Sequence, residues 1–425
     1  MKILFVTLGC KANQYDTGAM EAKLNAAGHT TCMEGETPDA IVINSCTVTE
    51  ESDRKTRQTV RRYAKHHPGA LMILCGCSAQ RDPEEYLTMP EVDCVLGTGN
   101  RGDILYAVEQ GKKGEKLNLA TDPSTVFEEM GTAATHRTRG FLKIQDGCDR
   151  YCTYCIIPYV RGPIRSRDLA EVVAEAEAMA QNGIREVVLT GIRLISFGHE
   201  TGLGLMDAVD AVARIHGVER IRLGSLDPDE VDAAFIARAA GQKKLCRQFH
   251  LSLQSGCDTV LRRMGRRYST AQFLEVAKGI NAAMADAAIT TDVMVGFVGE
   301  TEEEFLTTCN FVKEVGFSRL HVFPYSVRRG TAAARMEGHL KKEVKQERSR
   351  RLIAIGEELE SAFVKKNIGT THRAVFEEQA GGDMVGYTDS YIRLKAPYRA
   401  DLLGVPVMVN ILEEEKGCGI AAIQE

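Results

Sequence analysis

Two separate runs of alternating apolar strands and amphipathic stretches constrain this chain more than any other feature. In the first, KILFVTL, AIVINS, ALMILCG and DCVLGTG alternate with helix-like stretches at roughly 14–27 and 51–66, with a last one at 101–110. Strands alternating with helical patterns predict βαβ units and a parallel sheet. The second run extends from Phe141 to about Ala362. There FLKIQ, EVVLTG, RIRLGS, FHLSLQ, ITTDVMVGF and LHVFPYS each precede a helical or loop-helix stretch. Six such repeats predict an open or partial barrel with function at the C-terminal ends of its strands. Between the runs, 111–140 loses periodicity and gathers Gly, Thr and charge, the marks of a linker. A charged helix, KKEVKQERSRRLIAIGEELESAFVKKN, leads to a short all-β pattern of RAVFEEQ, MVGYTDSYIRLKAP and PVMVNILEEE, expected to form a small barrel. The expected domains are 1–112, 139–365 and 366–425, with a linker over 113–138.

Composition narrows the class. At 425 residues the chain has room for two or three domains of roughly 100–200 residues each. Its 44% hydrophobic and 26% charged residues are the balance of a globular protein. No apolar run approaches the ~18 residues of a membrane span, so no membrane partner is expected. The start, MKILFVTLGC, lacks a small-residue cleavage site and reads as a first strand rather than a signal peptide. Thirteen cysteines without such a signal point to reduced thiols, a cytoplasmic location and metal binding by some of them. The net charge of −5 hides an asymmetry, because 136–167 and 328–351 are strongly basic. Local charge therefore permits a nucleic-acid partner that the total does not suggest.

The densest signal is Cys148-x3-Cys152-x2-Cys155, in DGCDRYCTYCIIPYVRG, straight after FLKIQ. Cysteines at such spacing read as metal ligands. Three thiolates leave a structural zinc site one ligand short, and the next histidine, His199, is distant in sequence. They suit a [4Fe–4S] cluster with one iron left open. A second set is dispersed: Cys10, Cys46 and Cys77 each follow a predicted strand, about one βα unit apart. In a parallel sheet such positions converge at the C-terminal edge, where ligands bind, and three thiolates there suit a second cluster. Cys75 competes with Cys77, which is preferred because it lies past Gly76, where the strand should end. Cys32, Cys94, Cys246, Cys257, Cys309 and Cys418 lack partner spacing and read as packing residues.

With its aromatic Tyr154, the triplet Cys148/Cys152/Cys155 resembles the radical S-adenosylmethionine (SAM) signature. The whole chain resembles the radical SAM methylthiotransferase family, through TLGCKANQYDTGAM, NSCTVTEESDRKTRQ, CGCSAQ, LKIQDGCDRYCTYCIIPYVRG, HLSLQSGCDTVLRRMGRRYST, DVMVGFVGETEEEF and HVFPYSVRRGT. These motifs look most like the branch acting on N6-threonylcarbamoyladenosine at tRNA position 37. The resemblance implies an α/β chain with a parallel-sheet cluster domain, a partial (βα)6 radical SAM barrel and a small all-β TRAM-like barrel. It assigns Cys148, Cys152 and Cys155 to a SAM-binding cluster, and Cys10, Cys46 and Cys77 to an auxiliary one. No catalytic residue beyond these ligands is implied. SAM would serve as methyl donor and as source of a 5′-deoxyadenosyl radical, the partners being tRNA and an electron donor such as a flavodoxin or ferredoxin. A monomer is expected. The same chemistry on isopentenyl-adenosine tRNA or a ribosomal-protein aspartate is the nearest alternative, and a non-catalytic iron–sulfur RNA-binding protein a more distant one. Departures from the branch are Arg193, Ile195, Val298, Arg329 and Ala332. Ile195 stands where Gly is common, which questions the loop after VVLTG because Gly alone tolerates positive φ freely.

Further candidates lie at strand ends. Thr190, Gly191, Gln254, Gly296 and Gly299 are expected to line the cofactor cavity, with Tyr154 beside adenine. Arg57, Arg61 and Lys65 share one face of a basic helix, and a polyanion would relieve their mutual repulsion. Arg161, Arg165 and Arg167 follow the triplet loop, where they are expected to meet phosphates or the carboxylate of SAM. In the last domain, Arg373, Arg393, Lys395 and Arg399 with Tyr387, Tyr391 and Tyr398 suggest a basic-aromatic face. His66, His67, His136, His250 and His321 lack metal-ligand spacing and read as structural or surface residues.

Overall fold

The first run folds as one six-stranded sheet in the computed structural model, which describes residues 1–33, 35–131 and 138–424. His136 lies outside the described residues. The strand order is Thr30–Thr31, Lys2–Thr7, Ala40–Ser45, Leu71–Gly76, Cys94–Val95 and Leu117–Asn118, with every neighbouring pair parallel. Ala40–Ser45 and Leu71–Gly76 are buried along their whole length, because helices cover both faces of a parallel sheet. One face packs Met20 and Leu24 of the helix Lys11–Ala26 against Ile3, Val42 and Ile73. The other packs Val60 of Glu50–His66 against Ile41, Ile43 and Met72. Thr49 starts the latter helix by accepting a hydrogen bond from the Ser52 amide, with Glu50, Glu51 and Asp53 in its first turn.

The segment expected to be a plain linker does more. Leu117–Asn118 joins the sheet as its last strand, and Phe127 is buried. Glu128 pairs with Arg101, and Glu129 with Arg167. A two-residue strand and single anchoring contacts leave no periodicity to read, so this part of the 113–138 boundary needs correction.

The second run forms six strands, Arg139–Lys143, Glu186–Thr190, Arg220–Leu223, Gln248–Leu251, Ala288–Val295 and Arg319–Pro324. They lie in chain order as a parallel crescent. A single bridge between Ile221 and Leu245 and the short strand Ser225–Leu226 join its two halves. Its apolar side packs Val187, Leu189, Phe249, Ile289 and Val293 against Val172, Val209, Ile280 and Val312 of the outer helices. The expected partial barrel is what forms.

The long helix Lys342–Lys366 runs beside the last strand and leads into a closed five-stranded barrel. MVGYTDSYIRLKAP divides into Asp383–Thr388 and Arg393–Pro397, with Tyr391 in the intervening turn at φ +64°. Cys418–Ile423, absent from the sequence-based strand set, closes the barrel between Arg393–Pro397 and Pro406–Glu415. Tyr387 and Tyr391 stack at 4.6 Å, with the Arg222 guanidinium 4.8 Å from the Tyr391 ring. Arg373 donates to the Glu219 carbonyl and pairs with Asp389. These three expected nucleic-acid contacts are therefore spent on docking the barrel. Arg393, Tyr398 and Arg399 remain exposed. Among the described residues, no helix is long and apolar enough to cross a membrane.

Candidate functional site

Three strand ends of the first sheet bring Cys10, Cys46 and Cys77 together. Cys10 precedes the helix Lys11–Ala26, Cys46 follows Ser45, and Cys77 opens the short helix Cys77–Arg81. Two glycines make the approach sterically allowed. Gly9 has φ +108°, and a Cβ there would sit 2.8 Å from the Cys46 Cβ. Gly76 has φ +92°, and a Cβ there would strike Asn44 and Ser45. Asn13 pins the loops, its Nδ2 donating to the Leu8 and Ser45 carbonyls at 2.8 Å each. Burial pushes the Cys46 thiol up to about 11 and also raises Cys77. Cys75 instead packs in the apolar core with Ile3, Met20 and Val42, donating to the Ile43 carbonyl.

Cys148, Cys152 and Cys155 occupy the loop between the first barrel strand and the helix Ile157–Arg161. The Cys148 amide donates to the Gly162 carbonyl at 3.1 Å, and the Cys155 amide to the Cys152 carbonyl at 2.9 Å. Met264 and Ala333 grip Thr153 from opposite sides through backbone hydrogen bonds. Burial pushes Cys148 up to about 11 and Cys155 to about 12. Arg266 Nη1 lies 3.4 Å from the Cys152 sulfur, while its Nη2 holds Asp227 at 2.8 Å. Tyr154 stands edge-on to Phe297 at 6.2 Å.

A buried ionic node joins the two loops. Asp16 and Asp146 face Arg101, Lys143 and Arg161, and Arg165 also pairs with Asp146. Burial opposes ionisation of Asp146, but Arg161, Lys143, Arg101 and Arg165 outweigh it and hold the carboxyl well below its ordinary range. Four cations thus meet two carboxylates, with the partly exposed Glu128 also pairing with Arg101. A buried surplus of positive charge beside thiols suits an anionic thiolate-bound group. Among the described residues, no three His, Cys, Asp or Glu side chains converge as closely as a single ion requires. The donor sets fit iron–sulfur clusters: three thiols each, glycine-shaped loops and arginine donors on sulfur.

The other sequence candidates divide. Thr190 and Gln254 are buried at strand ends, Gln254 with φ +65° and backbone bonds to Asp292 and Met294. Gly191 leaves room for Gln145, whose oxygen would lie 2.8 Å from a Cβ there. Gly296 leaves room for Lys345, whose Cγ would lie 2.5 Å away, so a larger residue at either glycine would collide with a packed side chain. Arg165 and Arg167 also need correction as nucleic-acid contacts. Both are buried, Arg165 donating to the Arg161 and Pro163 carbonyls and Arg167 pairing with Glu129 and Glu175. Arg61 and Lys65 are exposed, and the half-buried Arg57 makes a long 3.5 Å contact with Glu85. His250 and His321 flank Asp292 inside the crescent, and His66 is exposed.

Ile195 removes its own question: it lies in a 3₁₀ turn, buried in the core and without positive φ. Arg193 joins Arg150 around Asp227 and Glu230 beside the triplet loop, pairing with Asp149 at 2.7 Å. Of that network, sequence reasoning marked only Arg193, as a departure. It missed Lys11 as well. This half-buried residue directly after Cys10 lies near Arg139, Arg222 and Glu186, yet makes no side-chain hydrogen bond or ion pair among the described residues.

Comparisons with known proteins agree with this layout. Residues 2–97 match the family described as uncharacterized protein family UPF0004, and residues 142–312 the radical SAM superfamily. The threonylcarbamoyladenosine tRNA methylthiotransferase MtaB of Bacillus subtilis is 39% identical over 97% of this chain and 94% of its own length. The tRNA-2-methylthio-N(6)-dimethylallyladenosine synthase of Natranaerobius thermophilus is 31% identical over 96% of this chain and 94% of its own. Among solved structures, the radical SAM methyltransferase TsrM of Kitasatospora setae superposes with a TM-score of 0.56 at 12% identity, covering 76% of this chain and 73% of that one. That likeness speaks for the fold alone.

Proposed function

The chain belongs to the radical SAM tRNA methylthiotransferase family, and from that premise we propose that it adds a methylthio group at C2 of N6-threonylcarbamoyladenosine at tRNA position 37. It is a sulfur-transferring, tRNA-modifying enzyme, and its radical SAM domain implies a [4Fe–4S] cluster and SAM. In this reading Cys148, Cys152 and Cys155 hold that cluster, and Cys10, Cys46 and Cys77 hold a second. When bound, these groups and two SAM molecules supply the 5′-deoxyadenosyl radical, the methyl group and the sulfur that acid–base side chains cannot provide at an aromatic C–H. A flavodoxin or ferredoxin as electron donor, a monomeric state and a cytoplasmic location belong to the same proposal.

The observation that carries the reading is that each cysteine set gathers three thiols on its own loops with an arginine donating to one sulfur, Arg161 to Cys77 and Arg266 to Cys152. The chain's own contribution is positioning and exclusion of water. Gly9 and Gly76 let the first three cysteine loops close on one another, and Asn13 fixes their backbones. Arg266 donates toward Cys152, and the Arg150–Arg193 network holds Asp227 and Glu230 beside that loop. Arg61 and Lys65, with Arg57, offer an exposed basic face for tRNA phosphates.

Lys11 favours the threonylcarbamoyl substrate over the dimethylallyl one. Its ammonium makes no ion pair among the described residues, stands next to Cys10, and suits the carboxylate that only the former substrate carries. A hydrogen bond between charged groups is worth about 1.5–3 kcal/mol. Lys11→Gln is therefore expected to raise KM for tRNA bearing threonylcarbamoyladenosine about 10- to 100-fold. Release of 5′-deoxyadenosine without tRNA should stay unchanged. An unaltered KM would remove the support Lys11 gives to this substrate.

A further inference from the structure

Arg161 is wholly buried and uses every edge of its guanidinium. Nε donates to the Cys77 sulfur at 3.2 Å, and Nη1 reaches both Asp146 oxygens at 3.1 and 3.2 Å. Nη2 donates to Asn13 Oδ1 at 2.6 Å and to Asp16 Oδ2 at 3.1 Å. Asn13 in turn donates to the carbonyl of Leu8, two residues before Cys10, and to that of Ser45, directly before Cys46. One side chain thus touches all three N-terminal ligand loops: Cys77 directly, the other two through Asn13. Yet it is carried by the helix Ile157–Arg161, which follows Cys155 across the domain boundary. A plain electrostatic staple between domains would need the carboxylates alone; here the Nε hydrogen is given to sulfur.

We propose that Arg161 is a positioning residue for the N-terminal cluster, fixing the Cys77 sulfur and raising that cluster's reduction potential from the neighbouring domain. The inference rests on the reading that Cys10, Cys46 and Cys77 hold an iron–sulfur cluster. The direction follows from charge. Reduction adds an electron to an anionic group, and a buried guanidinium hydrogen-bonded to its sulfur stabilises the reduced form more than the oxidised one. Arg101 also bears on Cys77 through its charge, but of the node's four cations only Arg161 donates a hydrogen bond to that sulfur among the described residues.

The test uses the full chain carrying Cys148→Ala, Cys152→Ala and Cys155→Ala, so that only the N-terminal cluster titrates. Its midpoint is read by electron paramagnetic resonance during a redox titration, with iron and sulfide counted in parallel. Arg161→Gln should lower the midpoint with iron content retained. Arg161→Lys keeps the charge but loses the planar donor, and should fall between Gln and Arg. If the Gln variant does not fold, the Lys variant decides: a midpoint below that of the Arg161 protein supports the proposal. A midpoint in either folded variant equal to that of the Arg161 protein overturns it. Absence of iron from the triple-alanine background overturns the two-cluster reading and this inference with it.

Discussion

Replacing Cys10, Cys46 and Cys77 together by Ala is expected to leave 5′-deoxyadenosine release intact and to abolish the methylthiolated nucleoside. The three residues close one site at the sheet edge, while the radical SAM match covers residues 142–312 and leaves that site outside. Replacing Cys148, Cys152 and Cys155 should abolish both products, because no open iron would remain to bind SAM. Cys75→Ala is the control. Its side chain fills the apolar core beside Ile3, Met20 and Val42, so both products should persist, at some cost in packing. Anaerobic assays with reductant, SAM and tRNA, read by liquid chromatography and mass spectrometry, separate these outcomes. Methylthiolated tRNA from the N-terminal triple variant would show that sulfur is delivered elsewhere.

A comparable loss, of stability rather than chemistry, is expected for Asp146→Ala. Asp146 is buried against Arg101, Lys143, Arg161 and Arg165, so its removal leaves four buried cations facing Asp16 and the half-exposed Glu128. Breaking a buried ion pair by deleting one partner costs about 3–5 kcal/mol. For domains of this size that is on the order of 10 °C in Tm. Limited proteolysis should open the 113–138 segment at the same time, because the node joins the sheet domain to the barrel. An unchanged Tm and cleavage pattern would mean that the docking rests on other contacts, such as Arg328 with Asp53 at 2.5 Å.

The sequence carried the fold well where periodicity was long. The four strands expected in the first sheet and all six of the crescent lie on segments with an apolar run, even the two-residue Cys94–Val95 within DCVLGTG. Thr30–Thr31, Leu117–Asn118 and Cys418–Ile423 were not read: two are too short for a period, and the third is broken up by Gly417 and Gly419. The cysteine sets were legible because spacing and strand ends are local properties. What surrounds them was not. Asp16, Arg101 and Asp146 are far apart in the chain and form a node only after two domains dock. The same long-range pairing turned Arg165 and Arg167 from surface candidates into interior ones. Gly191 and Gly296, expected at the cofactor cavity, have Gln145 and Lys345 packed against them. A glycine reports that something comes near without saying what.

Installation of a methylthio group on threonylcarbamoyladenosine in tRNA leaves its mark in the host's nucleosides. Mass spectrometry of nucleosides from a host lacking any such enzyme, with and without this chain, tests it most directly. 2-Methylthio-N6-threonylcarbamoyladenosine is expected only when the chain is present with all six cysteines intact. The unmodified nucleoside persisting in both samples, or the methylthio group arriving on dimethylallyladenosine instead, would contradict it.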